Sequence, residues 1–276
     1  MFQDFLFTYQ SLIDAVGING LLALSLYVVL ALGQLSLGQA AFMGIGAYSS
    51  ALLTTRLQLP FPLVLLAAAC LPALAALLIG RPTARLSGVY LALATIGFGE
   101  VLRIFYVNAE ITGGALGLSG IPERAGFLWI YGTLAAASAG LALLCRTRIG
   151  RAMEAMRQDE LAAGVMGIDL ARYKLAALVA SAALAGLAGA FDAHSSSFIA
   201  PGEFGFDAAV TILSFALLGG TGSPFGPVLG AVILTLLPEL LRPLQDFRLV
   251  LNGLIIVLVV LFLPRGLLAW RIGRVR

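Results

Sequence analysis

RTRIGRAMEAMRQDELAAGVMGIDLARYK, residues 146–174, is the longest polar passage in a chain that otherwise reads as lipid-compatible. It carries six basic and four acidic residues between two apolar blocks. Ile149, Met153, Met156 and Leu161 make an approximately helical apolar stripe, with Arg151, Glu154, Arg157 and Glu160 around it. Gly164 and Gly167 interrupt that helix, and Asp169 is placed to cap the next one. A short amphipathic helix joined through glycine to a membrane helix suits two settings equally. It can dock in the groove of a partner protein or lie on a lipid surface.

The flanking composition decides the class. Of 276 residues, 60% are hydrophobic and 11% charged, with a mean hydropathy of +1.00. A soluble domain carries about 25% charged residues, which excludes a large soluble fold. Apolar stretches near the length needed to cross a bilayer recur at about 13–32, 40–55, 60–80, 86–107, 126–145, 175–193, 207–219, 226–240 and 249–263. The expectation is an all-α polytopic integral membrane protein of about nine transmembrane helices, a single transmembrane domain over residues 1–276. Arg81, Pro82 and Arg85 read as a compact basic turn between the third and fourth spans.

Basic residues set the orientation. With Arg81 and Arg85 inside, alternation through nine spans puts the 146–174 loop and the tail at 265–276 in the cytoplasm, together with twelve of the seventeen Lys and Arg residues. The N-terminus then lies outside. The net charge of +3 is spread over loop ends and is no nucleic-acid signal. Cys70, Cys145 and the lone His194 form neither a disulfide framework nor a metal spacing. No GxxxxGK[ST], HExxH, GxSxG or CxxC occurs, so the chain shows no ATP-hydrolysing or covalent catalytic motif, and no cofactor is expected.

Two features inside the apolar blocks are candidates for a translocation path. Gly33 to Gly38 interrupts the first pair of spans and brings Gln34, Ser36 and Gln39 with it. It reads equally as a cavity-lining break or as an interfacial turn. Glu100 and Arg103 share one face of the fourth span at i, i+3. They read as a functional pair, or as a self-satisfied pair toward the outer end of the helix with Arg103 snorkelling. Close helix packing is expected at Gly44 and Gly46, Gly186 and Gly189, and Gly226 and Gly230.

The passages LSGVYLALATIGFGEVLR (86–103), TGGALGLSGIP (112–122), GRAMEAMRQDELAAGVMGIDLARYKLAALVASAALAGLAGA (150–190), LGGTGSPFGPVLGA (218–231) and LFLPRGLL (261–268) together resemble the permease subunits of branched-chain amino acid ABC transporters, in particular the M-type subunit of the H/M pair. The resemblance covers most of the chain in the same order. It implies a binding-protein-dependent importer of the bacterial inner membrane. Its partners would be a homologous second permease, two cytoplasmic ATPase subunits and a periplasmic substrate-binding protein, within a lipid bilayer. It places the ATPase-coupling helix at 150–167, with Gly150, Glu154, Ala155, Asp159, Glu160, Gly164 and Gly167 as contacts. The loops at 112–122 and 201–206 become candidates for touching the binding protein. Relatives carrying urea or short-chain amides share this architecture. An ion-coupled secondary transporter is the rival of another class, and needs ionisable groups near mid-membrane.

Overall fold

The computed structural model describes residues 2–84 and 86–240. The expected span at 249–263 and the tail at 265–276 lie outside the described residues. The helices are α1 (Phe2–Leu30), α2 (Gln39–Leu57), α3 (Phe61–Thr83), α4 (Val89–Asn108), α5 (Phe127–Arg146), α6 (Arg148–Gln158), α7 (Glu160–Val165), α8 (Leu170–Ser196), α9 (Phe206–Gly219) and α10 (Phe225–Leu240). Two short strands, β1 (Leu118–Ser119) and β2 (Phe198–Ile199), and a 3-10 turn at Pro201–Phe204 complete the parts used below. Among the described residues, five helical stretches are long and apolar enough to cross a membrane: Tyr9–Leu30, α3, α4, α5 and α8. The chain is a multi-pass, all-α membrane protein.

Some boundaries differ from those read from sequence. Pro60 is the N-cap of α3, and Pro62 lies in its first turn, where a missing N–H costs little. The helix then runs through Pro72 and Pro82 to Thr83, so Arg81 is helical rather than part of a turn. Ala84 N still donates to the Gly80 carbonyl at 2.8 Å. Gly88, at φ +57°, starts α4 at Val89 instead of 86.

Helix α8 is the centre of the bundle and packs most extensively on α1, α2 and α3. It does so at backbone contact. A Cβ added at Gly46 of α2 would overlap the Gly186 carbonyl oxygen of α8. One added at Gly189 would overlap the Met43 carbonyl, and one at Gly186 the Ala68 carbonyl of α3. The α9–α10 hairpin closes the same way, with Gly230 against the Phe215 carbonyl. Small residues let helices approach where lipid offers no hydrophobic drive for association. Gly44 instead faces the Phe204 ring.

The chain alternates between two ends of the bundle. Gly80 abuts Leu175 and Leu178 near the start of α8, Gly33 abuts Arg157 beyond the end of α1, and Thr221 between α9 and α10 also reaches Arg157. At the other end, Arg124 donates to the Leu59 carbonyl, Ser195 to Asp14, and β1 pairs antiparallel with β2.

Gly189→Leu forces α2 and α8 apart, and overpacking of this kind costs about 1–3 kcal/mol. Thermal unfolding of the purified protein in detergent is expected to shift down accordingly. Gly132→Ala, at a site with open space on α5, leaves the midpoint unchanged or slightly raised. Equal midpoints for Gly189→Leu and wild type would refute the close contact.

Candidate functional site: a surface helix pair and a broken membrane helix

Helix α6 starts where Thr147 caps it, its hydroxyl accepting from Ile149 N. Of its apolar stripe, Ile149 is exposed. Met153 and Met156 are buried against Val28, Leu32 and Ala177 of the bundle, with Ala155 packed alongside. Leu161 is not part of that stripe, because the helix stops at Gln158. Asp159 turns extended and caps a separate helix, α7, accepting from Leu161 N at 2.9 Å and Ala162 N at 3.0 Å. The break lies at Asp159 rather than at Gly164 as the glycine pattern indicated. Asp169 caps α8 as read from sequence, accepting from Arg172 N.

Each of the seven residues expected to contact an ATPase is engaged within the chain itself. Gly150 lies against the Cys145 backbone, with no room for a side chain. Glu154 bonds Arg157 at 2.7 Å and Gln158 at 3.2 Å. The hydrogen bond from Arg157 holds its carboxyl below the usual carboxylate range, against a smaller upward push from burial. Glu160 pairs with Lys174, an ammonium buried at the start of α8. Gly164 sits over Leu170, and Gly167 makes the turn into α8 at φ +85°. Substituting Glu160 therefore perturbs an internal ion pair before any docking surface. The outward face of α7 instead shows Leu161, Val165 and Met166, each more than 80% exposed. Sequence reading placed Leu161 on the wrong stripe and passed over the other two. The Asp-Glu pair at 159–160, an N-cap followed by an acid, was the available signal.

The break between α1 and α2 touches this element. Gly33, at φ +78°, ends α1 with a paired turn: its N–H bonds the Leu30 carbonyl and Gln34 N–H the Val29 carbonyl. A Cβ at Gly33 would press on the Arg157 backbone at 3.3 Å. From there the chain runs into the bundle unwound. Leu37 N donates to Thr95 Oγ1 at 3.0 Å and Gly38 N to Ser36 Oγ at 3.3 Å. Gln39 Nε2 donates to Ser181 Oγ at 3.2 Å. Ser181 lies eleven residues into α8, about 16 Å from its start at 1.5 Å per residue. The break is thus an irregular backbone buried inside the bundle, about halfway along α8. Its polar groups are met largely by neighbouring helices. Among the described residues, Gln34 Nε2 is buried without a partner.

Glu100 and Arg103 are joined at 2.8 Å. Because α4 runs from Val89 to Asn108, Glu100 stands near its middle rather than toward one end. Glu100 and Leu37 line one narrow cleft, with Ala41, Ile96, Phe204 and Phe206 among its other walls. At the far end of the bundle, the loop 112–122 meets residues 197–200, just ahead of the 201–206 turn. Leu118 is paired with Ile199, and Phe204 is buried against Tyr48.

Comparison with known proteins agrees with this architecture. Residues 9–263 match the family model described as the permease component of branched-chain amino acid transport systems. The chain is 36% identical, over 90% of its length and 67% of the relative's, to the high-affinity branched-chain amino acid transport system permease protein LivM of Escherichia coli. Over 44% of the chain and 40% of the relative it is 32% identical to the LivH permease of the same organism. A probable LivM of Methanocaldococcus jannaschii is 25% identical over 68% of the chain and 62% of the relative. No solved structure matches significantly. The family match and the apolar helices together define a multi-pass membrane permease. The chain belongs to the branched-chain amino acid transport permease family.

Glu160→Gln leaves the Lys174 ammonium without its charged partner and is expected to loosen α7 by about 2 kcal/mol. Hydrogen exchange in 160–166 would rise by a matching factor, while exchange in α2 stays unchanged. Glu154 behaves differently with pH. Its depressed titration means its pairing is fully present above the ordinary carboxylate range, and is lost as pH falls through the still lower folded value. Protection factors in α6, with the intrinsic pH dependence of exchange divided out, should therefore be flat from pH 8 to about 5 and fall only below about pH 4.

Proposed function

We propose that this chain is one of two membrane subunits of a binding-protein-dependent ABC importer for branched-chain, small hydrophobic amino acids. It sits in the bacterial cytoplasmic membrane as a single transmembrane domain of about nine spans. Its N-terminus is outside and its C-terminus cytoplasmic. A homologous second permease completes the pore, two ATPase subunits dock from the cytoplasm, and a periplasmic binding protein delivers substrate to the loops at 112–122 and 201–206. The concentration of Arg81, Arg146, Arg148, Arg151 and Arg157 at the α6 end supports that end as cytoplasmic.

The observation that carries the reading is the two-sided build of α6–α7. Its inner side is fixed to the end of α1 through Met153 and Met156, to the α1–α2 break through Arg157, and to α8 through Glu160 and Lys174. Its outer side offers Leu161, Val165 and Met166. Exposed apolar side chains grouped on one short helix are what an ATPase groove would bury. Force applied there reaches the broken segment and the cleft beside Glu100. Gln34, Ser36, Gln39, Glu100 and Arg103 lie along the proposed path.

Reconstitution with the second permease, the ATPases and the binding protein should give leucine uptake that requires ATP hydrolysis. The Val165→Glu/Met166→Glu double variant should weaken ATPase co-purification by about tenfold or more, which is 1.4 kcal/mol, with insertion intact. Uptake that persists without ATPases and collapses with the proton gradient would replace this reading by an ion-coupled one. Wild-type ATPase binding by the double variant would remove α7 from the interface.

A further inference from the structure

The Glu100–Arg103 pair is incompletely used by the protein. Arg103 Nε donates to Glu100 Oε2, and among the described residues Glu100 Oε1 and both Nη groups of Arg103 have no hydrogen-bond partner. The two side chains are 36% and 38% exposed, on a helix that buries only Leu91, Ala92, Thr95 and Tyr106. Glu100 lies eleven residues into α4, about 16 Å from its start, and so near the middle of a core about 30 Å thick. Charges at that depth with unused hydrogen-bonding capacity are costly against lipid. They are found facing a bundle interior or a polar path.

An α-amino acid meets the same cost on its way across. Its ammonium and carboxylate both lose water at mid-membrane unless counter-charges replace it. Its side chain, when apolar, needs a dry surface. The structure holds these three elements together. Glu100 supplies a carboxylate, Arg103 beside it supplies Nη–H donors left free by the Nε bond to Glu100, and Glu100 opens on the cleft walled by Leu37, Ala41, Ile96, Phe204 and Phe206. The wall is thin at Gly99, where an added Cβ would have only the Ala41 Cβ nearby at 3.8 Å.

We propose that Glu100 and Arg103 form a transit subsite for a zwitterionic amino acid with an apolar side chain. The substrate ammonium takes the Glu100 carboxylate, its carboxylate takes the Arg103 guanidinium, and its side chain lies against the apolar wall of the cleft. The proposal rests on the reading of the chain as an amino acid importer subunit. Leu37 joins the cleft to the broken segment, whose Gly33 contacts Arg157. Movement of α6 therefore reaches the subsite.

The test uses the reconstituted importer with its binding protein and radiolabelled leucine. Glu100→Leu/Arg103→Leu removes both charges together. A purely structural ion pair tolerates such a replacement, so assembly and ATP hydrolysis should persist while leucine uptake falls by about tenfold or more, equivalent to 1.36 kcal/mol on the barrier. Uptake at the wild-type rate by this variant overturns the subsite. Should the double variant fail to assemble, Gly99→Leu decides. It keeps the pair and crowds the apolar wall beside it, and retained ATP hydrolysis with lost uptake supports the subsite, while normal uptake overturns it. Absence of leucine uptake by the wild-type complex would instead sink the importer reading itself.

Discussion

The backbone-to-backbone contact of α8 with α2 and α3 is the constraint from which the rest follows. At Gly46, Gly186 and Gly189 no side chain separates the helices, and the carbonyl of one meets the Cα of the next. In lipid, apolar side chains gain little by meeting one another, because the tails already solvate them, and close van der Waals packing has to serve instead. That contact holds α2 at a fixed depth. With α2 fixed, its first residue, Gln39, meets Ser181 in the middle of α8, and the five residues before it are left to run into the bundle unwound.

An unwound segment in hydrocarbon needs partners for its N–H groups. Thr95 of α4 supplies one and Ser36 another. These bonds place α4 beside the break, and with it the Glu100–Arg103 pair. At the other end of the break, Gly33 has no side chain, so Arg157 can lie across the end of α1. The same arginine bonds Glu154 and reaches Thr221 between α9 and α10. The polar surface element and the mid-membrane charges are thus two ends of one packed route, connected through a glycine and a threonine rather than through a long lever.

Much of this was legible in the amino-acid order. Apolar stretches gave the helices, since a bilayer tolerates only backbone that bonds internally. The glycine pairs at Gly186 and Gly189, and at Gly226 and Gly230, lie at close contacts as their spacing indicated. The cap at Asp169 followed from residue type and position. What misled was short-range pattern where two helices abut. Met153, Met156 and Leu161 share a helical stripe only if the helix is continuous. Asp159 ends it, so the methionines turn inward and Leu161 turns out. Position along the helix misled in the same way for Glu100, because Gly88 delays the start of α4.

The sequence by itself determined the all-α, membrane-spanning class, the places where helices approach closely, and the family to which the chain is similar. These depend on composition, period and small-residue spacing, which are local. Only the tertiary structure decided which side of α6 is buried, that Glu160 serves Lys174, that β1 joins β2 across eighty residues of chain, and how deep the break at Gly33 penetrates. Each of these depends on which helix lies next to which, and that is set by carbonyls meeting glycines on segments far apart in the chain.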